Sequence, residues 1–211
     1  MIRRTFNRFS GATVAMSMFL LAAAAQADDP GADPHAQHRM MMASSAGVTQ
    51  SDAHYTIPSN VTLVRADGKT VSALDAIPEN EAVIVNFIYT TCTTICPLTS
   101  QVFAILQSRL EAHQLKAHLV SISIDPEQDT PAVLTEYAKR FHAGPTWSYY
   151  TGTTSASVAV QKAFGVYSGD KMNHLPLTFV RPAKSADWIR IQGFPTADEI
   201  AMTLHGMLDK K

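Results

Sequence analysis

The sequence predicts an α/β domain: a central mixed sheet with helices on both faces and a β-hairpin extension at its N-terminal side. Three observations predict it. From Val61 onward, short apolar runs of strand length alternate with longer stretches of helical periodicity. Residues 82–89, AVIVNFIY, are apolar almost throughout, as a strand buried on both faces is. The last two strand-like runs, Leu177–Arg181 and residues 188–191, lie close enough in sequence to pair as an antiparallel hairpin.

The N-terminus comes first because it sets the compartment. Arg3, Arg4 and Arg8 precede an apolar stretch over residues 12–25, and Ala25-Gln26-Ala27 has the small-residue pattern of a cleavage site. Residues 1–27 are therefore predicted to be a secretory signal peptide, which points to the bacterial periplasm and to no stable transmembrane anchor. The order Arg3-Arg4-Thr5-Phe6 leaves the export pathway open. Residues 28–54 are predicted to be a disordered tail containing His and Met, and residues 55–211 the folded domain. Removing the signal leaves 14 basic against 18 acidic residues, a net charge of −4. That excludes the strongly basic face a nucleic-acid binder needs. A domain of this length buries enough apolar surface to fold without disulfide staples, so its two cysteines are free to serve chemistry.

Within the domain, residues 61–65 and Thr70–Ser72 flank Ala66-Asp67-Gly68-Lys69, a hairpin turn signature. The strand at 82–89 follows. After Pro97, Leu98, Val102, Phe103, Ile105, Leu106 and Leu110 recur at helical spacing. A strand is predicted over 117–124 (AHLVSISI), then a turn, DPEQDTP, whose Pro131 opens a helix carrying Val133, Leu134, Tyr137, Ala138 and Phe141 on one face. Trp147–Thr151 reads as a strand and residues 155–164 as a helix. After the closing hairpin, Thr196 and Glu199 form a capping-box pattern for a last helix that buries Ile200, Leu204, Met207 and Leu208.

The chemistry concentrates in residues 89–97, YTTCTTICP, which hold both cysteines of the chain. Cys92 and Cys96 stand at i and i+4, so in a helical turn they share a face with Cβ atoms roughly 5–6 Å apart. A disulfide needs about 4 Å, so a small adjustment joins or parts the sulfurs. Pro97 favours the first turn of the following helix and puts Cys96 near its N-cap, where the helix field favours thiolate. A structural disulfide is the plainer alternative, but a loop this small returns only about 2 kcal/mol on closure. Two soft thiolates suit Cu(I). A cysteine pair where a buried strand meets its helix is also where the thioredoxin-like fold carries its redox site.

Two thiolates hold Cu(I) linearly, and a third donor would discriminate among ions. His113 and His205 fall on predicted helices, and His118 and His142 in or beside regular elements, all with ordinary packing or surface roles. His174 ends a polar loop, SGDKMNH, just before the strand Leu177–Arg181. As an isolated residue it reads as a surface histidine. Pro176 changes that: in thioredoxin-like folds a proline before this strand lies across from the cysteine loop, often after a cis peptide bond. Met172, two residues earlier, is a further soft donor that could assist, although a methionine there more often serves as filler.

Taken together, FIYTTCTTICPLTS, SISIDPEQDTP and NHLPLTFV resemble the Sco/SenC family of copper proteins that assist cytochrome c oxidase assembly. The resemblance runs from about Tyr55 to the C-terminus. It implies a thioredoxin-like fold, copper ligands at Cys92, Cys96 and His174, copper as Cu(I) or Cu(II), and a role in delivering copper to the binuclear copper centre of the oxidase. The expected partner is the copper-centre subunit of the oxidase or another periplasmic copper protein, with a thiol–disulfide reductant beside it. Where the family has Asp before the histidine, this chain has Asn173, and Pro176 replaces an apolar residue.

Two other functions stay open: a thiol–disulfide oxidoreductase, with Cys92 and Cys96 as its redox pair reducing the cysteines of a copper-receiving partner, and a redox or copper sensor. In the tail, His35, His38, Met40, Met41 and Met42 supply imidazole and thioether donors that suit copper in either oxidation state, as an auxiliary capture site or a linker of accidental composition.

Overall fold

The computed structural model describes residues 47–210. Residues 1–27, expected to be a signal peptide, and the expected tail donors His35, His38, Met40, Met41 and Met42 lie outside them. The elements run β1 (Thr49–His54), β2 (Thr62–Arg65), β3 (Thr70–Ser72), α1 (Ala73–Ala76), β4 (Val83–Ile88), α2 (Ile95–Ala112), β5 (His118–Ser123), α3 (Pro131–Arg140), β6 (Trp147–Thr151), α4 (Thr154–Ala163), β7 (Leu177–Arg181), β8 (Asp187–Gln192) and α5 (Ala197–Leu208). One sheet orders them β1-β8-β7-β4-β5-β6-β2-β3. β4, β5 and β6 are parallel, while every other neighbouring pair is antiparallel. This is the mixed sheet of a thioredoxin-like fold, with the β2–β3 hairpin added beyond β6.

β4 divides the core. Its alternate residues Ile84 and Ile88 enter a cluster with Phe103 and Leu106 of α2, Leu134 and Tyr137 of α3, and Ile200 and Leu204 of α5. Val83, Val85 and Phe87 enter the opposite cluster with Ala73 of α1 and Val160 of α4. Side chains alternate across a strand, so both faces being covered requires both residue sets to be apolar. Asn86 is the exception, buried with its Oδ1 accepting from Ser121 Oγ at 2.6 Å, while Trp147 Nε1 donates to that same oxygen at 2.9 Å. The capping box at Thr196 forms as predicted, with Thr196 N donating to Glu199 Oε2 at 2.6 Å and Glu199 N to Thr196 Oγ1 at 3.2 Å.

The sequence boundary between tail and domain is corrected. Residues 49–54, assigned above to the disordered tail, form β1 and pair antiparallel with β8 from Thr49↔Gln192 to His54↔Asp187. Five of its six residues are exposed, so the strand shows no apolar alternation. Its backbone ladder holds it instead. No helix among the described residues is long and apolar enough to cross a membrane.

Candidate functional site

β4 runs out of the sheet at Ile88, and residues 89–94 turn into α2. Cys92 and Cys96 are both free thiols and both buried, at 6% and 1% exposure. α2 starts one residue before Cys96, so Cys96 lies in its first turn and Thr94 is the N-cap. The Thr94 side chain makes no capping bond. The Cys92 sulfur takes that place, accepting from the Cys96 backbone N–H at 3.4 Å, with Thr94 Oγ1 at 3.7 Å. An unpaired N–H at a helix start is a natural partner for a thiolate.

This reverses the expectation for the two thiols. For Cys92, burial opposes ionisation, but the backbone N–H groups of Cys96 and Thr94 outweigh it and bring the pKa down to about 7. For Cys96, burial dominates and pushes the thiol well above its ordinary range; the Tyr89 backbone opposes this, and the Cys92 and Asp129 charges add to it. Cys92, rather than Cys96, is the more readily ionised thiol. The sequence placed the helix start too late to see it.

A buried carboxylate fixes the loop. Asp129 is fully buried and accepts from Thr90 N at 3.1 and 3.2 Å, from Thr90 Oγ1 at 2.5 Å and from Ser123 Oγ at 2.6 Å. It ties the turn before α3 to the residue two before Cys92. Sequence reasoning passed over it as part of a turn. Nothing but its place immediately before the helix-capping Thr130 set it apart.

His174 reaches the same end of the sheet by register. β4 pairs antiparallel with β7, with Asn86 opposite Thr178, so residues just before β7 fall beside the end of β4. His174 is buried at 8% exposure, with Nε2 3.0 Å from the Phe87 carbonyl oxygen. A carbonyl only accepts, so Nε2 carries the proton and Nδ1 the lone pair. Burial lowers the pKa of the ring, opposed in part by the Phe87 carbonyl, which keeps the imidazole neutral near pH 7. One expectation is corrected: every described peptide bond is trans, including that before Pro176. Among the described residues no group of three or more His, Cys, Asp and Glu side chains is already gathered as a metal site. His174 is tied to the end of β4 through the Phe87 carbonyl, which holds its ring.

A helix-capping thiolate, a buried second thiol and a neutral buried imidazole at one end of a thioredoxin-like sheet define a dithiol protein with a histidine neighbour. Comparison with known proteins gives the family. The SCO1/SenC family model matches residues 49–182, and the chain belongs to that family. The SCO1 protein homolog of Bacillus subtilis is 33% identical over 98 residues, 46% of this chain and 50% of that protein. The chain spans about half the length of the curated relatives it matches. Among solved structures, BsSco, a member of the Sco family of cytochrome c oxidase assembly proteins with an identified disulfide switch, matches at TM-score 0.62 and 24% identity, covering 75% of this chain and 96% of that one. Arabidopsis thaliana ScoI with copper bound matches at TM-score 0.61 and 22% identity, covering 74% and 100%. At these identities the solved structures establish the fold.

Proposed function

We propose that this chain carries copper in the periplasm, on Cys92, Cys96 and His174, and delivers it to the binuclear copper centre of cytochrome c oxidase. The observation that carries this reading is the pairing of a buried dithiol with a buried neutral imidazole whose Nδ1 lone pair is left available by the Nε2–Phe87 bond. Two sulfurs and one nitrogen form a soft, low-coordinate donor set suited to Cu(I). The copper-bound state of the Arabidopsis relative and the assembly role of BsSco support it. Loading would turn the His174 ring or shift its loop, since the three donors are not gathered in the metal-free arrangement.

The test is an anaerobic Cu(I) competition titration of the parent and His174→Ala. The variant should bind copper at least about tenfold more weakly, the loss of roughly one ligand bond of about 1.4 kcal/mol or more, while its cysteines still oxidise to a disulfide. Parent affinity in the variant would remove His174 from the site.

A second reading rests on the inequality of the thiols. A Cys92 thiolate attacks a partner disulfide, forming a mixed disulfide and releasing a partner thiolate. Cys96 then loses its proton and displaces the second partner sulfur. The partner gains two electrons and leaves as a dithiol, and Cys92 and Cys96 are left as a disulfide. The low Cys92 and raised Cys96 pKa values suit attacking and resolving roles.

A further inference from the structure

The loop that carries His174 also presents a thioether outward. Asp170 accepts from the Met172 backbone N–H at 2.9 Å and caps a short 3-10 turn, Lys171–Asn173. The turn throws the Met172 side chain to 73% exposure, the most exposed of the large apolar side chains described. Burial gain is absent there, so hydrophobic packing does not account for the residue. Its sulfur is not idle. Tyr89 Oη donates to Met172 Sδ at 3.8 Å, and the Tyr89 carbonyl accepts from the Cys92 backbone N–H at 3.2 Å. Tyr89 itself is buried, at 6% exposure, between the end of β4 and the cysteine loop. Lys171 closes the arrangement from above, with Nζ 5.7 Å from the Tyr89 ring centroid and paired to Asp125. Tyr89 thus joins the outward thioether to the loop that carries Cys92.

We propose that Met172 is a transient copper ligand at the mouth of the site, the donor that takes Cu(I) from the buried set and offers it to an acceptor. The inference rests on the copper-carrying function proposed above and adds a route out of it. Thioethers are neutral, soft donors that favour Cu(I). In the exchange a bond from copper to Met172 Sδ forms as the bond to the His174 nitrogen breaks. Copper remains Cu(I), and because one neutral donor replaces another, neither an electron nor a proton moves. The Tyr89 hydroxyl is released from Met172 Sδ in that step. Met172 is a handover ligand, so its loss should leave the equilibrium site intact and slow the exit.

The experiment uses the full chain labelled with methyl-13C methionine, loaded anaerobically with Cu(I), with the Met172 signal assigned from Met172→Leu. Leucine keeps the volume at an exposed position and removes the sulfur. The Met172 methyl resonance of the parent should broaden on copper addition, as a minor Met172-bound state exchanges with the resting site. Copper exit from Met172→Leu to the chelator bicinchoninate should be about tenfold slower, at unchanged copper stoichiometry. A methyl signal that does not broaden, or exit at the parent rate, overturns the role of Met172 while leaving the copper site standing. If the parent chain itself holds no copper in the same samples, the copper-carrying function falls and this route falls with it.

Discussion

Cys92 and Cys96 sit on a loop bonded to a buried carboxylate, whereas His174 sits on a loop whose ties lie mostly at the surface. On the cysteine side, Asp129 gathers four hydrogen bonds out of water, the sheet ends in the buried Ile88, and α2 begins on the Cys92 sulfur. On the histidine side, the Lys171–Asp125 pair and the Tyr89–Met172 contact are partly solvated, and one buried bond, Nε2 to the Phe87 carbonyl, holds the ring. The difference teaches how a site can keep two donors fixed and move the third. Buried, charge-assisted bonds are costly to break, while exposed ion pairs contribute little. Under the copper-carrying function proposed above, that asymmetry would let the third ligand release the ion while the other two stay in place.

The largest expected effect tests the rigid side. Asp129→Ala leaves the Thr90 N–H, Thr90 hydroxyl and Ser123 hydroxyl without their buried acceptor, at a cost on the order of 3 kcal/mol. Urea denaturation of the metal-free protein reads it. Lys171→Ala, on the other side, should leave the urea midpoint nearly unchanged, since an exposed ion pair contributes little. Equal losses would erase the contrast between the two loops.

The second effect separates the two thiols within the rigid side. In the reduced, metal-free protein, Cys92 should be alkylated at least about fiftyfold faster than Cys96 at neutral pH. Its rate should climb as pH rises through about 7, because deprotonation produces the reactive thiolate. Mass mapping of the labelled peptides over a pH series measures this. Equal rates, or a faster Cys96, would contradict the capping role of the Cys92 sulfur.

Much of this contrast was legible in the residues, and the gaps have physical causes. The spacing of Cys92 and Cys96 after an almost wholly apolar run pointed to their place at the junction of β4 and α2. The position of His174 before β7 pointed to the same end of the sheet, and the antiparallel register with β4 is what brings it there. The assignment of the thiolate was not legible, because it depends on whether α2 begins before or after Cys96, a shift of a residue or two. β1 was hidden because five of its residues face water and only backbone bonds hold it to β8. Asp129 was hidden because a buried carboxylate and a turn carboxylate look alike until their partners are known. Met172 was set aside as filler, and its exposure removes that explanation.

The central claim is that a buried imidazole joins two cysteine sulfurs around copper. X-ray absorption at the copper edge of the Cu(I)-loaded chain tests it most directly, with His174→Ala alongside. The account predicts two sulfur neighbours and one nitrogen neighbour in the parent, and loss of the nitrogen in the variant. Sulfur-only coordination in the parent, unchanged in His174→Ala, would contradict it.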